Sequence, residues 1–173
     1  MIHAICLTTL LWVSAPQDDV AEAVRVFEKY VDALQKKDYR AAAELIHPSS
    51  LQKLKSMVTD GLDQRAENEQ AAFAEMLGYK SWKEVKAAEP VDFYARFFEN
   101  LGAMPGMSEV MGAIPEATFD IIGALSKSGK VYIVAEMTMP IGDGRRIIPV
   151  LHVAYKHGGT WKLANRGEAD IAP

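Results

Sequence analysis

The sequence predicts an α+β domain, with helices first and an antiparallel sheet at the end. Two rhythms carry that prediction. From residue 20 the apolar positions recur at helical spacing: Val20, Val24, Phe27, Val31 and Leu34 share one face. From Ala117 the period falls to two, and short Gly-bearing segments divide the rest into runs of strand length. Composition agrees: 173 residues, 49% apolar and 24% charged, suit one globular domain with a self-sufficient core.

The helical part is punctuated by caps. Asp18 or Asp19 opens the first helix, Tyr30 widens its apolar face, and Lys36 and Lys37 place positive charge at its end. Asp38 caps a short second helix carrying Ala42, Ala43, Leu45 and Ile46, which Pro48 ends. Ser49 or Ser50 then caps a third piece with Leu51, Leu54, Met57 and Val58. Residues 64–77 form a helix closed by Gly78. Ser81 and Glu84 make a capping box for the next. Pro90 starts a helix with a broad apolar face, including Phe93, Tyr94, Phe97 and Phe98, which Gly102 ends. Residues 103–115 read as a loop with one weak helical turn.

The strands fall at 118–125, 131–139, 145–155 and 160–166. Their three connections are short and contain Gly, so the sheet is a meander. Pro149 lacks a donor and predicts a bulge or gap in its strand. Val131, Ile133, Ala135, Met137 and Met139 share one parity and mark the buried face. Tyr132 and Val134 have the other parity, so helices are expected to cover the second face in part.

Residues 1–15 stand apart. They contain no Asp, Glu, Lys or Arg, hold an apolar run from Ala4 to Val13, and end in Val13-Ser14-Ala15 before the polar Gln17-Asp18-Asp19. This is the pattern of a secretory signal cleaved after Ala15, which predicts a secreted or periplasmic protein. Ten residues rise only about 15 Å as a helix, half a bilayer core, so no stable membrane span is expected after cleavage. The single cysteine, Cys6, lies inside this segment, so the mature chain carries no disulfide and no thiolate site.

Two stretches carry a resemblance. FEKYVDALQKKDYRAAAELIHP is an amphipathic helix, a polar corner and a short helix that brings aliphatic residues under a sheet. LHVAYKHGGTWKLAN is a strand, a Gly turn and a strand opening on Trp161. Together they resemble the nuclear transport factor 2-like superfamily, also called SnoaL-like or the cystatin-like cone. The resemblance covers the two ends, about 60 residues. It implies one domain over residues 16–173, with a curved sheet, a conical pocket and a helical insertion at about 61–115. That family spans enzymes, adaptors and plain binding domains, so it constrains fold more than function.

Six residues are candidates for the pocket. His47, beside Pro48 at a helix end, would sit at its mouth, and Tyr30 and Tyr132 would line it. Asp120, between Phe119 and Ile121, would be a carboxylate among apolar walls. Glu136 and His152 could form a tuned His–carboxylate pair. If Met139 lies near Arg145, Glu136 faces about Ile148 and His152 about Tyr132. The two then share a face but lie about 13 Å apart along the strands, too far for a dyad. Arg145, Arg146 and Arg166 read either as grips for an anion or as edge charge that discourages aggregation.

No HExxH, GxSxG, P-loop, GxGxxG or EF-hand pattern occurs. Four scattered histidines make a metal site unexpected, and no cofactor is implied. The net charge of −4 and the scattered aromatics give no case for nucleic acid. The expected function is therefore an exported, non-enzymatic binding or interaction domain with a pocket for a small hydrophobic or amphipathic ligand. The alternatives are a small-molecule isomerase, dehydratase or hydrolase, and a structural domain that self-associates into a homodimer through its sheet face.

Overall fold

The computed structural model describes residues 17–164, so the expected signal segment lies outside the described residues. It shows an α+β fold: seven α-helices, a short 3-10 turn and a four-stranded antiparallel sheet. The helices are α1 (Gln17–Gln35), α2 (Tyr39–Glu44), α3 (Pro48–Asp63), α4 (Glu67–Met76), α5 (Trp82–Ala87), α6 (Pro90–Leu101) and α7 (Ser108–Ala113). The strands are β1 (Thr118–Lys127), β2 (Lys130–Ile141), β3 (Gly144–His157) and β4 (Thr160–Ala164), in the order β1-β2-β3-β4.

Several caps act as their residue types dictate. Asp38 accepts the Ala41 N–H at 3.0 Å, Ser81 accepts that of Glu84 at 3.3 Å, and Gly78 takes a φ of +72° at the end of α4. Three expectations change. Pro48 does not merely end α2; it is the first residue of α3, where its missing N–H costs nothing, and His47 is the cap. α3 runs on to Asp63, with Gln64 at its C-cap, so the following helix begins only at Glu67. Residues 103–115 are more helical than expected, since they hold α7 and the start of the 3-10 turn.

α1 lies across one face of the sheet. Its Ala23 and Phe27 pack with Val131, Ile133, Ala135, Ala154, Trp161 and Leu163 in the main core. The remaining helices form a second layer around α6, whose Phe93 and Tyr94 are fully enclosed. Where α2 runs into α3, Ile46 bridges Leu163 in parallel, and the His47 N–H donates to the Leu163 carbonyl at 2.7 Å. That short pairing covers the free edge of β4.

β1, β2 and β3 are longer than expected because their turns are tighter, while the expected end of the last strand, at Arg166, lies outside the described residues. Ser128 and Gly129 both have positive φ, 53° and 72°, as do Gly158 and Gly159, which suits two-residue type I′ turns. The β2–β3 turn is likewise two residues, with Ile141 paired to Gly144. This sets the register: Glu136 faces Pro149 and His152 faces Ile133. The expected register was off by one residue, and one residue moves a side chain to the other face of a sheet. Pro149 causes no bulge, since the β2–β3 register is continuous. β4 pairs with β3 only from Val153 onward, so among the described residues no strand flanks Pro149 on its far side. The bulge falls instead in β1, between Ile121 and Gly123.

Candidate functional site

The register divides the six candidate residues. Tyr30 and His152 meet on the helix-covered face, with ring centroids 5.9 Å apart, and His152 packs 4.9 Å from Phe27. Asp120, Tyr132 and Glu136 stand on the opposite, outer face, where Asp120 and Glu136 are directly paired. Glu136 and His152 therefore do not share a face, contrary to the expectation. Asp120 is exposed rather than enclosed by apolar walls.

On the inner face the hydroxyls of two tyrosines meet. The hydroxyls of Tyr30 and Tyr94 lie 3.2 Å apart. Tyr94, on α6, was legible in the sequence only as part of an apolar face. Burial pushes its phenol well above the ordinary 10.0, and the nearby Tyr30 adds to the effect. Burial also raises Tyr30, offset in part by its hydrogen bond to Tyr94. Unfolding lets both phenols ionise near pH 10.0, which the fold resists. Their contribution to stability is thus complete below that pH and is lost as pH rises towards the folded values. Tyr94→Phe is expected to make the fall in stability above pH 10.0 shallower, read from urea midpoints on either side of it. Equal slopes in variant and parent would contradict this.

His47 has a structural task. Its Nδ1 accepts the Ser49 N–H at 3.2 Å and lies 2.7 Å from the Ser49 hydroxyl, satisfying the first turn of α3. The ring stands against Tyr155 at 4.4 Å and His157 at 4.7 Å. Sequence reasoning had placed it at a helix end, but at the end of α2 rather than the start of α3.

Two clefts open elsewhere. One of about 360 Å³ lies between Lys37, Tyr39, Phe98 and Met111. The other, about 480 Å³, lies beside the β1–β2 turn and is lined by Asp19, Lys127, Lys156 and Trp161. Neither contains any of the six candidates. Lys156 is bound to Asp19 at 2.7 Å, which raises its pKa. Among the described residues, no group of three His, Cys, Asp or Glu side chains is placed to hold a metal. No described helix is long and apolar enough to cross a membrane.

The outer face of the sheet is the unusual surface. Ile122 and Ile147 are each 62% exposed, Leu125 is 54%, and Val134 and Leu151 are close to 40%. Leu125 pairs with Tyr132, and Val134 lies between Gly123 and Leu151, so these side chains form a band across three strands. α1 takes the other face, while the outer one is covered at its β3–β4 end, where Val153 and Ala164 are buried, Lys162 donates to the Glu44 carbonyl of α2 and the Ser49 hydroxyl of α3 lies 3.5 Å from that of Tyr155. The expectation of a partly covered second face holds at that corner alone. The sequence did contain a signal for the band. The doublets Ile121-Ile122, Ile147-Ile148 and Val150-Leu151 put one aliphatic side chain on each face of a strand.

The geometry thus defines an α+β domain with an apolar band on the outer face of its sheet. No protein-family model matches the sequence, and no curated protein is detectably similar to it.

Proposed function

We propose that this chain is an exported, non-enzymatic interaction domain whose working surface is the outer face of its sheet. The observation that carries the reading is the band of exposed aliphatic side chains across β1, β2 and β3. Contiguous apolar surface on a soluble domain is characteristic of a contact that excludes water. Export rests on the charge-free segment before Gln17. The likeness to nuclear transport factor 2-like proteins is supported by helix α1 packing on one face of the sheet, where Phe27 and Tyr30 meet His152. The enzyme reading requires at least two of Tyr30, Asp120, Glu136 and His152 to converge in one cavity. Tyr30 and His152 adjoin, yet neither cleft includes them. A small amphipathic ligand is less favoured for the same reason.

Hydroxyl-radical footprinting tests the proposal. Ile122, Leu125 and Leu151 are expected to label more weakly in the producing cells than in the dilute purified chain. Equal labelling under both conditions overturns the reading.

A further inference from the structure

The cleft beside the corner between α1 and α2 is lined by polar groups that no other described residue engages. Its volume of about 360 Å³ falls within the range of about 300–1,000 Å³ that small-molecule sites occupy. Lys37 and Tyr39 reach it from the corner, Phe98 and Glu99 from α6, and Ser108 and Met111 from α7. The Lys37 ammonium and the Glu99 carboxylate belong to this one cleft. Among the described residues neither makes an ion pair or a side-chain hydrogen bond, with each other or with any other group. Tyr39 is 7% exposed, and its ring centroid stands 6.1 Å from that of Phe98. Its hydroxyl has no hydrogen-bond partner among the described residues and is not one of the sealed interior groups, so it opens on the cleft that the ring lines. Burial raises the Tyr39 phenol and the Glu99 carboxylate raises it further, which places these two groups within electrostatic reach of each other.

The backbone at Lys37 adds an independent sign. The N–H groups of Lys37 and Asp38 close α1 on the carbonyls of Leu34 and Ala33, at 3.0 and 2.9 Å. Lys37 takes a φ of +58° there, the left-handed position after a helix where glycine is favoured and a side chain is costly. The turn asks nothing of the lysine side chain, so the side chain answers to something else.

We propose that this cleft binds a small zwitterion of the α-amino-acid type, with its carboxylate on Lys37, its ammonium on Glu99 and the Tyr39 hydroxyl, and its side chain against Phe98 and Met111. Each ligand charge then meets an opposite charge that has no internal partner to displace. The aromatic faces of Tyr39 and Phe98 favour the ammonium end. A simple anion or a simple cation leaves one of the two open charges unmatched, so the zwitterion fits better than either. The cleft lies in the helical layer, and this proposal does not depend on the outer face of the sheet.

The test is a titration of the purified chain with glycine, leucine, phenylalanine and glutamate, followed by NMR at the Tyr39 and Phe98 rings and the Met111 methyl. At least one amino acid is expected to move these signals saturably, with a Kd of about 1 mM or tighter. For the tightest, the matching amine without its carboxylate and the matching acid without its amine are each expected to bind at least about tenfold more weakly. Two variants assign the charges. Lys37→Gly is expected to weaken the amino acid about tenfold and to leave the amine unchanged. Glu99→Gln is expected to weaken the amino acid and the amine and to leave the acid unchanged. Glycine relieves the left-handed backbone, so the urea midpoint of Lys37→Gly is expected at or above the parent's, and weaker binding cannot come from lost folding. No movement with any of the four amino acids up to about 10 mM overturns the proposal. So does binding that neither variant changes, or an amine that binds as tightly as its amino acid.

Discussion

Phe27→Ala is expected to cost about 3–5 kcal/mol of folding stability, a large part of what a domain of this size holds. Phe27 is 1% exposed and lies where α1 meets the sheet. Its ring stands 4.9 Å from His152 and 6.2 Å from Phe119, and its cluster draws on β2, β3 and β4. Truncation leaves a cavity that a helix held along its whole length cannot close. Urea melts of parent and variant measure the loss. A change below about 1 kcal/mol would mean that α1 does not anchor the sheet.

Lys55→Met is expected to cost about 1–3 kcal/mol, although methionine nearly matches the aliphatic stem in length. Lys55 is 8% exposed, and its ammonium donates to the Lys86 carbonyl at 2.7 Å and the Ala88 carbonyl at 2.6 Å. Those carbonyls belong to the end of α5, where helices leave acceptors without partners and a cation is favoured. One side chain of α3 therefore ties down another helix. The variant keeps the packing and removes the donors, so two acceptors lose their partner. The same melts check it, and a difference under about 0.5 kcal/mol would show that water replaces the ammonium there.

Lys55 also shows how much the sequence could reveal. It lies at i+4 from Leu51 and i+1 from Leu54, on the apolar side of α3, and a lysine at apolar spacing is the mark of a buried, partnered charge. Local chemistry was legible wherever one residue type does one job: Asp38, Ser81 and Pro90 begin helices where they should. The parity of Val131 to Met139 found the inner face because burial leaves few other choices. What depended on counting across a turn was not legible. Gly142 and Asp143 form a two-residue connection, and a register misread by one residue put Glu136 on the same face as His152 when they lie on opposite faces. The bulge in β1 was likewise hidden, since Ile121-Ile122-Gly123 reads as an uninterrupted strand. Of the six candidates, Tyr30 and His152 do adjoin, but as part of the packed interior.

The account rests on the outer face of the sheet being the surface of contact. Methyl NMR spectra of the purified chain, recorded alone and in an extract of the producing cells, test this most directly. The methyl resonances of Ile122, Leu125, Val134, Ile147 and Leu151 are expected to shift or broaden together in the extract, while those of Val85 on α5 and Leu101 on α6 stay fixed. Unchanged methyls on the sheet, or changes confined to the helical layer, would contradict it.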